Sequence, residues 1–247
     1  MSTLAIVGLH GTMGSRVNAL ALMQPWVSRI VGVTLTPLHD HEYASLEVIT
    51  EPIDVIIDFS TPHQLESTLA YATKHHIPCV LAATGLTSFH EELIAKSSVQ
   101  IPLFVSANLS LGVALLQQLL SDSLHFLGND IDIDVVETHH TRKVDSPSGT
   151  AKMLASTISS ITGKTMVTSY PQTQLKDANT FGVHALRLGN VVGTHEIHLS
   201  LGDEIVTISH QALSRDIFAK GALRAAQYIV NQKPGIHTMD NLLKEKL

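Results

Sequence analysis

A chain of 247 residues with 44% apolar and only 15% charged side chains holds enough hydrophobic surface for one large domain or two modest ones, which excludes a disordered chain. Its formal net charge of -6 argues against nucleic acid as a partner, because phosphate contacts need a basic face. No apolar run approaches the roughly 18–20 residues that span a bilayer, and one cysteine, Cys79, excludes a disulfide framework and a thiolate metal cluster.

The first residues, Met1-Ser2-Thr3, lead straight into an apolar run over 4–7 without the basic flank of a signal peptide, so the expected setting is cytoplasmic and reducing. That run predicts a strand ending at Gly8. A helix follows over about 12–23, with Met13, Val17, Leu20 and Ala21 on one face. Residues 30–35 are apolar and rich in β-branched side chains, as in a buried parallel strand. The pattern repeats as strand 55–59, helix 62–74, strand 79–82, helix 89–96 and strand 103–105. Strands alternating with crossover helices imply a Rossmann-like, doubly wound parallel α/β sheet.

After Asn108 the pattern changes. A long apolar helix is predicted over about 111–126, then a strand over 131–136. Strands over 195–201 and 204–210 meet at Gly202-Asp203, a credible hairpin turn. Successive strands without helices between them imply a second, α+β domain on a mixed or antiparallel open sheet. The tail, from about 215 to 231, reads as a helix. The domain expectation is 1–109 with 215–247 for one body and 110–214 for the other, with no flexible linker and a shared cleft.

Two stretches carry chemistry. Gly8-Leu9-His10-Gly11-Thr12-Met13-Gly14 lies between a predicted strand and a predicted helix, in the spacing G-x-x-G-x-x-G. Glycines there permit the tight turn, the close approach of backbone to a pyrophosphate and the packing of helix on sheet, while the helix N-terminus supplies N–H donors. The acid that such a fingerprint places some 20 residues on is missing, since that region reads Thr34-Leu35-Thr36-Pro37.

The second stretch is Glu137-Thr138-His139-His140-Thr141-Arg142-Lys143-Val144-Asp145-Ser146-Pro147-Ser148-Gly149-Thr150-Ala151. Four side chains able to carry positive charge fall within five residues of an acidic protein. Ser148 stands where it would cap a helix, so the first turn, at Gly149 and Thr150, would face a carboxylate or phosphate. Histidine can exchange a proton near neutral pH. Adjacent strand residues point to opposite faces, so His139 and His140 do not make a metal pair, and no metal is expected. The other histidines (His10, His39, His63, His90, His125, His184 among them) are scattered and read as surface composition.

Together these stretches resemble the 4-hydroxy-tetrahydrodipicolinate reductase (dihydrodipicolinate reductase) family, whose pattern E-x-H-H-x-x-K-x-D-[AS]-P-S-G-T-A is matched throughout residues 137–151. The resemblance extends to Asp58-Phe59-Ser60-Thr61-Pro62, Ser106-Ala107-Asn108-Leu109-Ser110-Leu111-Gly112-Val113, Arg187-Leu188-Gly189, Val192-Gly193-Thr194-His195, Ser214-Arg215 and Phe218-Ala219-Lys220-Gly221-Ala222. It implies NAD(P)H-dependent reduction of a cyclic imine dicarboxylate on the diaminopimelate route to lysine. His139 and Lys143 would take the catalytic positions; His140, Gly149 and Thr150 would bind substrate. Gly8, Leu9, His10, Gly11, Thr12, Met13, Ala82, Ala83, Thr84, Ser106, Ala107, Asn108 and Leu109 would hold the dinucleotide. The resemblance also implies a C-terminal helix that returns to the nucleotide domain and a homotetramer formed through the substrate domains.

Three departures from the family pattern touch the cofactor: Thr12 replaces an arginine, Thr34-Leu35-Thr36-Pro37 lacks the usual acidic-basic pair, and Ala82-Ala83-Thr84-Gly85 has lost a hydroxyl. They imply weak discrimination between the two nicotinamides, with NADH no worse than NADPH. Two other readings share the glycine loop: a different two-domain dehydrogenase, and a non-catalytic dinucleotide sensor. Neither requires His139, Lys143 and Ser148 together.

Overall fold

The computed structural model describes residues 2–82 and 85–245, and the chain divides into two compact units, 1–111 with 216–247 and 112–215. In chain order the first unit has β1 (Ser2–Val7), α1 (Thr12–Ala21), β2 (Val27–Val33), β3 (Glu42–Tyr43), β4 (Val55–Asp58), α2 (Pro62–Lys74), β5 (Cys79–Leu81), α3 (Ser88–Ser98) and β6 (Pro102–Val105). Helix α4 (Leu111–Leu127) leads into the second unit, with β7 (Asp132–His139), α5 (Gly149–Thr162), β8 (Thr165–Val167), β9 (Thr180–Arg187), β10 (Gly193–Ser200) and β11 (Ile205–Ala212). The chain then returns to the first unit as α6 (Asp216–Ile229), β12 (Gly235–His237) and α7 (Met239–Lys244).

The first sheet has seven parallel strands in the order β12-β6-β5-β4-β1-β2-β3. Its central strands are sealed on both faces, which is why they read as unbroken apolar runs rather than alternations: every residue of β4 is buried. Each buried aliphatic side chain contributes about 1.5–3 kcal/mol. Because all strands run one way, the turns after β1, β2, β4, β5 and β6 gather at one edge, the place where such sheets bind ligands. Helix α6 packs back on this unit so closely that a Cβ on Gly221 would lie 1.7 Å from the Leu109 carbonyl oxygen.

The second sheet is mixed, in the order β11-β10-β7-β9-β8; β10 runs antiparallel to β7 and β11, while β7, β9 and β8 are parallel. The α/β expectation therefore holds, with a mixed second sheet. Leu116, Leu120 and Leu124 of α4 and Leu154 and Ile158 of α5 cover one face, against Ile133, Val135, Phe181, Val183, Ile197 and Leu199.

One boundary differs from the sequence reading in a way that bears on function. The strand expected over 131–136 runs over Asp132–His139, which puts Glu137 and His139 on its inward, buried face. The short strands β3, β8 and β12 and helix α7 give no periodic signal, since two to six residues are too few to show one.

Candidate active site

Strand β7 alternates strictly, with Ile133, Val135, Glu137 and His139 pointing inward and buried. The apolar inward stripe thus becomes ionisable at its C-terminal end. Cross-strand register completes the cluster: His195 of β10 lies opposite Glu137, and Arg187 of β9 is in register with His139. Glu137 is fully buried, and its Oε2 lies 3.5 Å from His139 Nδ1 and 3.6 Å from His195 Nε2. Its Oε1 accepts the Ser148 backbone N–H at 3.0 Å and lies 3.5 Å from Arg187 Nη1. The His139 and His195 rings meet edge to face, 5.2 Å between centres.

Helix α5 docks its N-terminus on this cluster. The Ser148 hydroxyl accepts the Ala151 N–H at 3.1 Å, as a serine N-cap does, and lies 3.2 Å from His195 Nε2. One buried residue therefore caps the helix and touches both Glu137 and His195. Gly149 and Thr150 form the first turn, Gly149 exposed and Thr150 half-buried.

Beyond the strand, Arg187 holds the loop that carries Lys143. Its Nη2 donates to the Asp145 carbonyl at 2.7 Å and its Nε to the Lys143 carbonyl at 3.4 Å. Lys143 Nζ pairs with the Asp145 carboxylate at 2.8 Å, which holds that carboxyl below its ordinary range. His140 is half-buried, with Arg215 Nη2 3.1 Å from its Nε2. Desolvation lowers the His140 pKa, and the nearby Arg142 and Arg215 lower it further.

Two opposed shifts define the electrostatics. Burial pushes the Glu137 carboxyl up, but His195, Ser148 and His139 outweigh it and hold the pKa at about 2. Desolvation pulls His139 down to about 4; Glu137 opposes this, while His195, Lys143 and Arg187 add to it. Near neutral pH the pair is a carboxylate facing an uncharged imidazole, a state the sequence reading of His139 as a ready proton donor did not anticipate.

The carboxylate and the two histidines offer three ligand atoms within 4.8 Å of one another. Arg187 and Lys143 stand beside them, and two neighbouring cations oppose a bound metal ion.

The glycine loop of the first unit is as tightly built as its sequence demands. Gly8 and Leu9 N–H both donate to the Val33 carbonyl, at 3.0 and 3.1 Å, closing the turn onto β2. A Cβ on Gly14 would sit 2.1 Å from the Gly8 carbonyl oxygen, so only glycine lets α1 start here. No side chain caps the N-terminus of α1, and Gly11 and Thr12 are exposed. A backbone cradle with an uncapped helix start fits a dinucleotide pyrophosphate.

Leu9 is the exception in this loop. It is buried and packs where a Cβ on Gly32 would fall, so only its backbone faces the loop. Ala82 and Ser106 follow β5 and β6 at the same sheet edge, with Ala82 N–H donating to the Asp58 carbonyl and Ser106 N–H to the Leu81 carbonyl. The Ser106 hydroxyl and Asn108 backbone bond to each other, Ala107 is exposed, and Leu109 is buried against α6. Ala83 and Thr84 lie outside the described residues. Cys79 is a buried core residue of β5, its thiol pushed well up by burial.

The family model for the dihydrodipicolinate reductase N-terminus matches residues 2–109, and that for its C-terminus matches residues 112–243. A 4-hydroxy-tetrahydrodipicolinate reductase from Caldanaerobacter subterraneus subsp. tengcongensis is 38% identical over 250 residues, covering 99% of each chain. One from Exiguobacterium sibiricum is 38% identical, covering 98% of this chain and 97% of that one. Among solved structures, a dipicolinate-bound dihydrodipicolinate reductase from Paenisporosarcina sp. TG-14 has a TM-score of 0.79 at 20% identity, covering 96% of this chain and 97% of that one. An engineered D-amino acid dehydrogenase bound to NADP+ has a TM-score of 0.59 at 14% identity, covering 100% and 97%. At those identities the two structures show the fold alone.

Proposed function

Since this chain belongs to the dihydrodipicolinate reductase family, we propose that it reduces 4-hydroxy-tetrahydrodipicolinate to tetrahydrodipicolinate with NADH or NADPH and a proton, the 4-hydroxyl leaving as water, on the diaminopimelate route to lysine. The observation that carries this reading is the buried Glu137–His139–His195 cluster beside Lys143 and the Ser148-capped start of α5. A dicarboxylate needs cations and helix-terminal N–H groups to hold it, and the second unit supplies both. It is the substrate unit in this reading, and the first unit, with α6, holds the dinucleotide.

Gly8, Leu9, His10, Gly11, Thr12 and Met13 would hold the pyrophosphate end; Ala82, Ala83, Thr84, Ser106, Ala107, Asn108 and Leu109 would flank the nicotinamide. When bound, the reduced nicotinamide supplies the hydride. The chain's own residues do the rest. His140, Gly149 and Thr150 bind the substrate carboxylates, and Lys143 holds a carboxylate or donates a proton. His139, uncharged in the empty site, gains a proton as two substrate carboxylates offset its desolvation, and returns it to the ring being reduced. Working as a homotetramer in the cytoplasm completes the reading, supported by the family resemblance.

Replacing His139 by Gln and Lys143 by Ala tests it. Turnover should fall by about 10²–10⁴ for each, as for removal of a positioned proton donor, with cofactor binding retained. A non-catalytic sensor would keep its output in both variants, and that result would refute the assignment.

A further inference from the structure

The fingerprint's expected acid is missing from the end of β2, yet the fold brings one there from the next strand. Glu42 begins β3 and pairs in parallel register with Gly32 of β2; Thr34 N–H donates to the Tyr43 carbonyl. Its carboxylate, 3% exposed, lies across the end of β2 from the glycine loop, and Oε2 is 3.0 Å from His10 Nε2. The Leu38 N–H donates to the same oxygen at 2.7 Å. That bond is the largest influence holding the carboxyl below its ordinary range, with burial opposing it and His10 adding to it.

His10 lies between the first two glycines of the loop, and its side chain is 42% exposed. An ionised carboxylate accepts only, so the proton shared by the two side chains sits on Nε2. A buried negative charge behind an exposed ring suits a ribose hydroxyl donor. It does not suit a phosphate dianion, which brings acceptors and like charge. The position matches the one where a dinucleotide fold reads the adenosine ribose, beside the first βα turn and at the end of the second strand.

Building on the reading of this chain as a nicotinamide-dependent reductase, we infer that His10 and Glu42 are its cofactor-specificity pair, selecting an adenosine ribose with a 2′-hydroxyl over one with a 2′-phosphate. Glu42 acts through the ring it orients; His10 meets the ribose. The chain discriminates with a two-residue device from loop and third strand where the fingerprint would use one residue at the end of the second.

Calorimetric titration of the substrate-free protein with NADH and with NADPH tests this without turnover. The unaltered chain should bind NADH at least as tightly as NADPH. Glu42→Gln keeps the shape and removes the charge, and should move the ratio of the two dissociation constants about tenfold toward NADPH, the scale of one charged hydrogen bond. His10→Ala, on an exposed side chain, should move it the same way and serves if Glu42→Gln does not fold. A ratio unmoved in the folded variants, or an unaltered chain that prefers NADPH, overturns the inference while leaving the reductase reading intact. An unaltered chain that binds neither dinucleotide overturns both.

Discussion

Glu137 Oε2 lies 3.5 Å from His139 Nδ1, two residues along one strand, with both residues buried. The alternation of β7 forces the two onto one face, and the sheet then surrounds them with His195 and Arg187. A carboxylate there favours the ring's protonated form against the burial that opposes it.

Glu137→Gln therefore should keep an acceptor for the Ser148 N–H and lose the charge. The histidine then becomes still harder to protonate than its present pKa of about 4. Turnover should fall by about 10²–10³, with the pH dependence of kcat displaced to lower pH. A pH–rate series checks this; a profile superimposable on that of the unaltered chain would show that the carboxylate does not act through His139.

Substrate-site occupation should be coupled to proton uptake. His139 is uncharged in the empty site near neutral pH, and a dicarboxylate bound beside it, as proposed, would raise its pKa. Titration with dipicolinate in two buffers of different ionisation enthalpy should show uptake approaching one proton in the unaltered chain and none in His139→Gln. Equal enthalpies in both buffers would contradict the coupling.

How far this site could be read from the sequence follows from the range of the contacts involved. The helix over 62–74 and the Ser148 cap are local: Pro62 opens one, and a serine before an apolar-periodic run announces the other. Residues 137–151 formed a contiguous motif, so Lys143 and His139 stood out without any knowledge of pairing. His195 and Arg187 carry no role that the sequence gives away, because their place beside Glu137 and His139 depends on strand register between distant segments. Arg215 beside His140 and Glu42 beside His10 escaped for the same reason. The depressed pKa of His139 is equally out of reach, since the burial behind it exists only in the folded chain.

Acid should unfold the second unit early. His139 has a folded pKa near 4 against 6.5 ordinarily, so the folded state resists its protonation, and stability is lost as pH falls from about 6.5 toward 4. Glu137, near 2 against 4.5, gives stability that is full above about 4.5 and lost as pH falls toward 2. The two losses run in the same direction, on the order of 1–3 kcal/mol each. Thermal melts across this range should show Tm falling below about pH 6.5, and His139→Gln should flatten the upper part of that fall. A Tm unchanged down to pH 4 would contradict the assigned shifts.

A coupled assay reads the proposed reaction itself. An upstream synthase condenses pyruvate with aspartate semialdehyde to supply the substrate, and oxidation of the reduced nicotinamide is followed by absorbance. Oxidation should depend on the synthase and collapse with His139→Gln and Lys143→Ala; no oxidation with either NADH or NADPH would contradict the reductase assignment.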